Sequence, residues 1–171
     1  AMCFNVPQSR ERMIFVGVRE DLGIEPSHPR AERKPWTVED ALQNVANRKQ
    51  TGEHITPLRA KRWAETKCGE SHHERFALQR LSWNKTAPTI LKVSGSGGHM
   101  HPDEARLLDI GELQRLASFP DNFEFVDNWH CGVERIGNSV PPLLMRSIAK
   151  HVRETILALQ EPVEIGLSKN G

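Results

Sequence analysis

The sequence predicts a mixed α/β fold, and three stretches carry that prediction. Residues 13–18 are apolar and β-prone, as in a buried strand. After Thr37 an apolar stripe at helical spacing runs to Val45, and Asp40 is in position to cap this helix. A last amphipathic helix is predicted to begin at residues 141–142, with these side chains facing the core: Leu144, Ile148, Val152, Ile156 and Leu159.

The remaining elements follow from composition and spacing. Residues 23–35 contain three prolines and are predicted to form a linker, and residues 47–75 are polar and predicted to form loops with short elements. Residues 89–93 are β-prone, and the Ser and Gly residues at 94–98 indicate a flexible loop. Asp109 and Glu112 have capping-box spacing for a further helix. The tail after residue 162 is predicted to fray.

Charge is concentrated in the middle of the chain, although the net charge is only +1. Residues 30–92 hold 13 Lys and Arg against 7 Asp and Glu, whereas residues 93–171 hold 7 against 11. This distribution favours contact with a polyanion, and a solvated loop region would give the same pattern. The three scattered cysteines are typical of a reducing cytoplasm, and the sequence shows neither a signal peptide nor a membrane-spanning run. The Ala-Met start suggests a vector-derived residue on a truncated protein.

One short motif places long polar side chains at alternate positions of an extended segment. Gln8, Arg10 and Arg12 would share one face, where two guanidinium groups form rigid donors for phosphate or a base carbonyl. Alone, the motif would also fit surface arginines paired with local carboxylates. Followed by the apolar residues 13–17, it resembles the Gln-x-Arg-x-Arg block of DNA cytosine-5 methyltransferases.

Two later stretches resemble motifs of the same family, in the family's order. Residues 106–123 resemble the block that ends in Phe-Pro, which would act as a scaffold. Residues 135–142 resemble the Gly-Asn-Ser-Val-Pro-Pro block, in which a helix N-terminus beside Asn and Ser suits an anion such as a carboxylate. The resemblance covers most of residues 3–153 and is weakest at residues 45–75, where the family varies with its target sequence.

The resemblance implies a small target-recognition domain plus a remnant of an S-adenosylmethionine-dependent methyltransferase α/β domain. That remnant would consist of one strand and the C-terminal helix. The implied division assigns residues 1–29 to the end of the catalytic domain and residues 30–134 to the target-recognition region. Residues 135–160 would form the closing block and the helix that returns to the catalytic domain, and residues 161–171 would form a tail.

The family's central catalytic motifs do not occur in this sequence. In the family a Pro-Cys thiolate attacks C6 of a flipped cytosine, a Glu-Asn-Val glutamate holds N3, and S-adenosylmethionine supplies the methyl group. None of Cys3, Cys68 and Cys131 follows a proline, and the sequence contains no Glu-Asn-Val. We therefore expect the chain alone to be inactive and to bind no cofactor. The missing N-terminal catalytic half is the expected partner, with S-adenosylmethionine bound in the full enzyme.

The resemblance also implies roles for individual residues. Arg12 would reach O2 of the flipped cytosine with Arg10 nearby on a phosphate, while Asn138, Ser139 and Val140 would line the cofactor pocket. Base reading is expected somewhere in residues 47–88. The candidates for contact with double-stranded DNA are Gln8, Arg10, Arg59, Lys61, Arg62, Arg75, Arg80 and Thr89.

Two other hypotheses stand beside this one. Cys68, His72 and His73 form half of a zinc-site spacing, but no second half is regular, so no metal is expected. Alternatively, the chain is a natural short protein that binds DNA or completes a partner in trans. The orphan strand and helix surfaces predict self-association as a homodimer. The resemblance further implies a prokaryotic, nucleoid-associated protein without a membrane partner.

Overall fold

The computed structural model describes residues 1–31, 35–43, 45, 56–92, 97–125 and 128–159. These ranges contain both helices and strands, which confirms the mixed α/β class. The helices are α1 Val38–Leu42, α2 Pro57–Glu65, α3 Ile110–Leu116, α4 Trp129–Asn138 and α5 Pro142–Thr155. The strands are β1 Ser71–His72, β2 Arg75–Arg80 and β3 Gly98–Met100. Short 3-10 turns occupy Met2–Phe4, Glu20–Leu22 and Leu157–Leu159.

The strands form one small sheet in the order β1-β2-β3. β1 pairs with β2 antiparallel, and β2 pairs with β3 parallel, with Leu78 opposite Gly98. The prediction of loops up to residue 75 missed β1, and it also left β2 unassigned. The sequence signal is weak there because only Leu78 of β2 is buried, so the strand lacks a regular apolar alternation. Gly98, predicted in a flexible loop, begins β3, while residues 93–96 of that loop lie outside the described residues.

Two predicted helix starts are confirmed in atomic detail. The Thr37 hydroxyl accepts from the backbone N–H of Asp40 at 3.1 Å, and the Asp40 carboxylate accepts from the Thr37 N–H at 2.8 Å. Asp109 and Glu112 exchange the same pair of bonds at 2.8 and 2.9 Å. Such reciprocal caps satisfy N–H groups that a first helical turn leaves without partners. α1 ends at Leu42, earlier than predicted, because Gln43 adopts an extended ψ of 128°.

Two apolar clusters hold the molecule together. The larger cluster joins α1, α3, α4 and the sheet, and its buried residues run from Val38 to Ile136. The smaller cluster consists of Val6, Leu144 and Ile148, with partly buried neighbours from residues 1–16 and from α5. The predicted core stripe of α5 is confirmed at Leu144, Ile148 and Ile156. The side chain of Leu159 and the tail from residue 160 lie outside the described residues.

Residues 13–18 are extended, but they do not form the predicted buried strand. Ile14 and Val16 pack against the smaller apolar cluster, whereas Met13 and Phe15 are 81% and 86% exposed. No strand in the described part of the chain pairs with this segment. The alternation of a strand is therefore present without the hydrogen-bonded neighbour that would bury its second face.

Residues 89–92 likewise form no strand, and at Ile90 two side chains of the arginine block bind the backbone instead. The N–H of Ile90 donates to Oε1 of Gln8 at 3.1 Å, and the carbonyl of Ile90 accepts from Nη1 of Arg10 at 2.9 Å. A backbone that is already paired in this way needs no ladder. The predicted strand at 89–93 is wrong for these described residues.

Arg10 is the bridge between distant parts of the chain. Its side chain is 2% exposed, and Nη2 donates a short hydrogen bond to the carbonyl of Gly137 while Nη1 binds Ile90. Gln8, 1% exposed, adds a bond from Nε2 to the Leu116 carbonyl at 3.4 Å. One guanidinium thus joins the N-terminal segment, residues 88–92 and the end of α4.

Gly137 permits this junction because no side chain would fit there. A Cβ at this position would lie 2.5 Å from the backbone nitrogen of Lys92. By contrast, a Cβ at Gly17 would meet nothing within 4 Å. The end of α4 and residues 91–92 therefore approach backbone to backbone, and a glycine is required for that approach.

The Arg10 bridge yields a stability prediction. Arg10→Met should lower the free energy of unfolding by about 2–4 kcal/mol, because it leaves two buried carbonyls without a donor. Arg12→Met is the matched control, since Arg12 is exposed and donates only to the neighbouring Glu11 carbonyl. That variant should stay within about 0.5 kcal/mol of the original chain. Urea unfolding measures both, and equal effects would contradict the bridge.

His99 in β3 yields a prediction of pH-dependent stability. Burial lowers the pKa of His99 from 6.5 to about 4, although its hydrogen bond to the Pro88 backbone acts in the opposite direction. Below pH 6.5 the unfolded chain binds a proton that the folded chain refuses until about pH 4, so stability falls as the pH falls through this window. At pH 5 the loss from this group should be about 2 kcal/mol. Urea unfolding at pH 8 and pH 5 should show a smaller loss for His99→Asn, and an equal loss would contradict the prediction.

Candidate nucleic-acid interface

The three side chains of the arginine block do not share one environment. Gln8 and Arg10 are buried on carbonyl and N–H groups of the chain itself, whereas the guanidinium of Arg12 is exposed. Nη1 of Arg12 donates at 2.7 Å to the carbonyl of Glu11, a local contact. The expectation that Gln8 and Arg10 contact DNA does not fit this geometry, because neither side chain reaches the surface. Arg12 is the one side chain of the three that is exposed.

Residues 138–140 form the surface junction between α4 and α5. Asn138 is exposed and Val140 is 36% exposed, while the Ser139 hydroxyl donates to the Ile136 carbonyl at 2.8 Å. Asn138 is the last residue of α4, so it lies at a helix C-terminus, and α5 begins only at Pro142. The predicted start of the last helix at residues 141–142 is confirmed, and Asn138 and Ser139 lie just ahead of it. The negative end of the α4 dipole also lies at Asn138, which disfavours the anion expected there.

α4 was not predicted from the sequence, although the sequence contains signals for this helix. Asn128 is an N-cap whose Oδ1 accepts from the Cys131 N–H at 3.1 Å. Trp129, Val133 and Ile136 recur at helical spacing and are buried. A helix was predicted after the Gly-Asn-Ser motif, at residues 141–142, and none was predicted before it, where α4 ends.

α2 carries three of the predicted DNA-contacting cations. Thr56 caps this helix and Pro57 begins it, and both are start signals that could have located it in the sequence. Lys61 is exposed, with Nζ 3.8 Å from a carboxylate oxygen of Glu65. The flanking basic side chains are half-buried: Arg59 and Arg62. α2 therefore presents Lys61 most openly to solvent.

Arg80 has a structural role in this fold. Its guanidinium lies over the Trp63 ring, 3.7 Å from the centroid, and donates to the Pro102 carbonyl at 2.7 and 2.9 Å. A third bond reaches the Thr66 carbonyl at 3.2 Å. The planar fork therefore ties α2 to residue 102, so the expected DNA contact by Arg80 does not fit the geometry.

Arg75 and Thr89 lie on either side of a surface feature that the sequence analysis did not single out. Arg75 is half-buried at the start of β2, beside Phe76, which is 83% exposed. The Thr89 hydroxyl donates to the Ser9 carbonyl at 3.2 Å. Phe76 and Thr89 line one cavity of about 190 Å³ between β2 and residues 88–91. A single phenylalanine in a strand does not tell from the sequence whether it is buried or exposed. The exposure of Phe76 therefore became visible only in the structure.

The zinc hypothesis gains no support in the described part of the chain, where no cluster of three or more His, Cys, Asp or Glu side chains suits a metal ion. The Cys68 thiol donates to the Leu81 carbonyl at 3.0 Å. His72 is buried, and its Nε2 lies 3.4 Å from a Glu65 carboxylate oxygen. Among the described helices, none has the length and apolar character needed to cross a membrane.

Comparison with known proteins finds relatives that are type II methyltransferases. The type II methyltransferase M.NgoFVII of Neisseria gonorrhoeae is 31% identical over 175 residues, which covers 87% of this chain and 46% of that protein. M.AplI of Arthrospira platensis, also a type II methyltransferase, is 32% identical over 168 residues, covering 91% of this chain and 46% of its own length. The chain thus spans about half the length of the curated relatives it matches.

A solved structure and a family model agree with these relatives. A crystal structure described as that of a DNA modification methyltransferase encoded within a prophage (E. coli) has a TM-score of 0.73 at 22% identity. The match covers 91% of this chain and 58% of that chain, and it indicates a shared fold. The model of the C-5 cytosine-specific DNA methylases matches residues 1–154. The chain therefore belongs to the C-5 cytosine-specific DNA methylase family.

Proposed function

We propose that this chain is the C-terminal, DNA-recognition portion of a DNA cytosine-5 methyltransferase. The whole enzyme would transfer a methyl group from S-adenosylmethionine to C5 of a flipped cytosine. The observation that carries this proposal is the Arg10 bridge, which brings the arginine block, residues 88–92 and Gly137 into direct contact. Two stretches that resemble separate family motifs, the arginine block and residues 135–142, therefore meet at one junction with residues 88–92.

The two apolar clusters support the proposed division into parts. The larger cluster contains residues 38–136, which agrees with a recognition region at 30–134. The smaller cluster contains Val6, Leu144 and Ile148, which agrees with a catalytic-domain remnant formed by the two ends of the chain. The exposed Met13 and Phe15 would face a sheet neighbour in the whole enzyme, and homodimerisation through them stays a prediction.

Arg12 is the side chain best placed to act on the target base. Its guanidinium is exposed, permanently charged and held at the end of a segment that Arg10 fixes. We infer that it donates to O2 of the flipped cytosine. Arg10 then acts through position, by holding the segment that carries Arg12.

The α4–α5 junction would supply only one wall of a cofactor site. Asn138 and Val140 are exposed there, whereas the Ser139 hydroxyl is already bonded to the chain. None of the three cavities of about 140, 190 and 540 Å³ is lined by these residues. S-adenosylmethionine would supply the methyl group when bound, and Asn138 and Val140 would contact it only once the catalytic half encloses it.

Duplex DNA is the proposed partner of the basic middle of the chain. Affinity for duplex DNA should fall steeply with salt, because cations that contact phosphates release condensed counterions. Lys61→Gln should reduce the slope of log affinity against log salt by about 1. Lys150→Gln, an exposed cation on α5, is the matched control and should leave the slope unchanged. Fluorescence anisotropy measures both, and absence of binding at low salt would count against recognition by this chain alone.

The catalytic prediction concerns the chain without its partner. The isolated chain should transfer no methyl group from labelled S-adenosylmethionine to duplex DNA, because no cysteine in its sequence follows a proline. A complete relative such as M.NgoFVII, assayed in parallel, is the positive control. Turnover by this chain that survives Cys3→Ser, Cys68→Ser and Cys131→Ser together would require another nucleophile. Any turnover at all would refute the proposed inactivity.

A further inference from the structure

A groove in the sheet region has an unusual combination of side chains. It lies between β2 and residues 88–91, encloses about 190 Å³ and is lined by Phe76, Thr89, Leu91 and His99. We name it the Phe76 groove. Phe76 is 83% exposed and Leu91 is 54% exposed, so two large apolar side chains stand in water at its opening. Such adjacent exposure is costly unless a ligand covers it.

His99 gives the groove a polar group that lacks a partner. Its side chain is only 6% exposed, and Nε2 has no hydrogen-bond partner within the described residues. The ring donates to the Pro88 backbone, and because Nε2 is unpaired, Nδ1 must be that donor. The neutral ring then keeps a lone pair on Nε2, which can accept one hydrogen bond. Buried acceptors of this kind are rare in folded proteins and indicate a missing donor.

A second cavity extends the groove along the same strand. It encloses about 140 Å³, shares Gln79 and Pro88 with the Phe76 groove and is lined by two cations, Arg80 and Lys85, and one carboxylate, Glu70. An aromatic opening and a cation therefore lie in neighbouring cavities along β2. This pairing suits a ligand that is flat and apolar at one end and anionic at the other, as a nucleotide of a DNA strand is.

We propose that the Phe76 groove holds the edge of one DNA base, with Phe76 packed against its ring and His99 Nε2 accepting from its amino group. The inference rests on the proposed DNA-recognition function and names the residues that read one position of the target. The cavity of about 190 Å³ is smaller than a site for a drug-sized ligand and suits a single base. Phe76 is a surface side chain, so it can turn aside to admit the base.

Base selectivity follows from the acceptor on His99. In the major groove adenine and cytosine each present an amino donor, whereas thymine and guanine present no donor. A thymine or a guanine at this position would leave Nε2 buried without a donor and would place a second acceptor against it. The groove should therefore discriminate against thymine and guanine at one position of the recognised sequence.

Selection of duplexes from a randomised pool by the full chain tests this selectivity. The original chain should disfavour thymine and guanine about tenfold at one position, and His99→Asn should accept all four bases there. Asn can still donate to the Pro88 backbone but lacks the ε nitrogen. Discrimination against thymine and guanine that is unchanged in His99→Asn would overturn the assignment of Nε2.

Phe76→Ala is a second test variant, and it should not disturb folding because Phe76 is a surface side chain. It should weaken binding to the selected duplex about tenfold without changing the salt slope, because a phenyl group contacts no phosphate. Phe15→Ala is the matched control, since Phe15 is 86% exposed on another surface, and it should bind within about twofold of the original chain. Equal affinities for the two variants would overturn the groove as a base site.

A separate probe distinguishes failure of the groove from failure of the proposed function. If the original chain binds no duplex, the proposed recognition by this chain fails. Deoxycytidine is then titrated into the isotope-labelled chain and followed by amide chemical shifts. Shifts confined to residues around Phe76, Thr89 and His99, and absent in Phe76→Ala, would support the groove, and their absence from the original chain would overturn it.

Discussion

The buried guanidinium of Arg10 is the interaction on which the arrangement of this chain depends. Its two donors reach carbonyls 80 and 127 residues away, at Ile90 and Gly137. Arginine suits this position because its planar fork binds two acceptors at once, which a lysine ammonium at the end of a flexible stem does less rigidly. Without these bonds the N-terminal segment would depend on the smaller apolar cluster, the bonds of Gln8 and the backbone bonds between residues 7–9 and Ala87.

The same bridge explains why residues near it depart from regular structure. Ile90 gives its N–H to Gln8 and its carbonyl to Arg10, so residues 89–92 stay extended without pairing to a strand. Gly137 ends α4 against the backbone of Lys92 at a distance that no Cβ allows. Thr89 reaches back to Ser9. Long polar side chains thus join a short parallel bridge between Gln8 and Ala87 at the junction between the two clusters.

An ion pair between the half-buried Arg106 and the buried Glu112 stiffens the scaffold that supports β3. Both terminal nitrogens of Arg106 donate to the Glu112 carboxylate, at 2.7 and 2.8 Å, and these bonds raise the pKa of Arg106 above its ordinary value. Glu112 also caps Asp109, so one carboxylate serves a helix start and an ion pair. Leu107, next to this pair, bridges Met100 of β3, the strand that carries His99. The Phe76 groove therefore lies on a sheet that is anchored to α3.

The sequence by itself determined the features that depend on neighbouring residues. The capping boxes at Thr37 and Asp109 and the apolar stripe of α5 involve side chains only three or four positions apart, so their pattern is legible along the chain. Resemblance to family motifs likewise needs only order and identity, and the family assignment holds. Arg10 and Arg12 look equivalent in such a pattern.

Only the tertiary structure decided which of those arginines is buried and which faces a ligand. The acceptors for Arg10 come from carbonyls distant in sequence, and backbone carbonyls have no residue identity to read. The Phe76 groove is hidden for the same reason, because the unpaired nitrogen of His99 and the exposure of Phe76 exist only after β2 and β3 have paired. Local pattern therefore fixed the starts of α1, α3 and α5, whereas long-range hydrogen bonding and burial assigned the polar side chains to structure or to the surface.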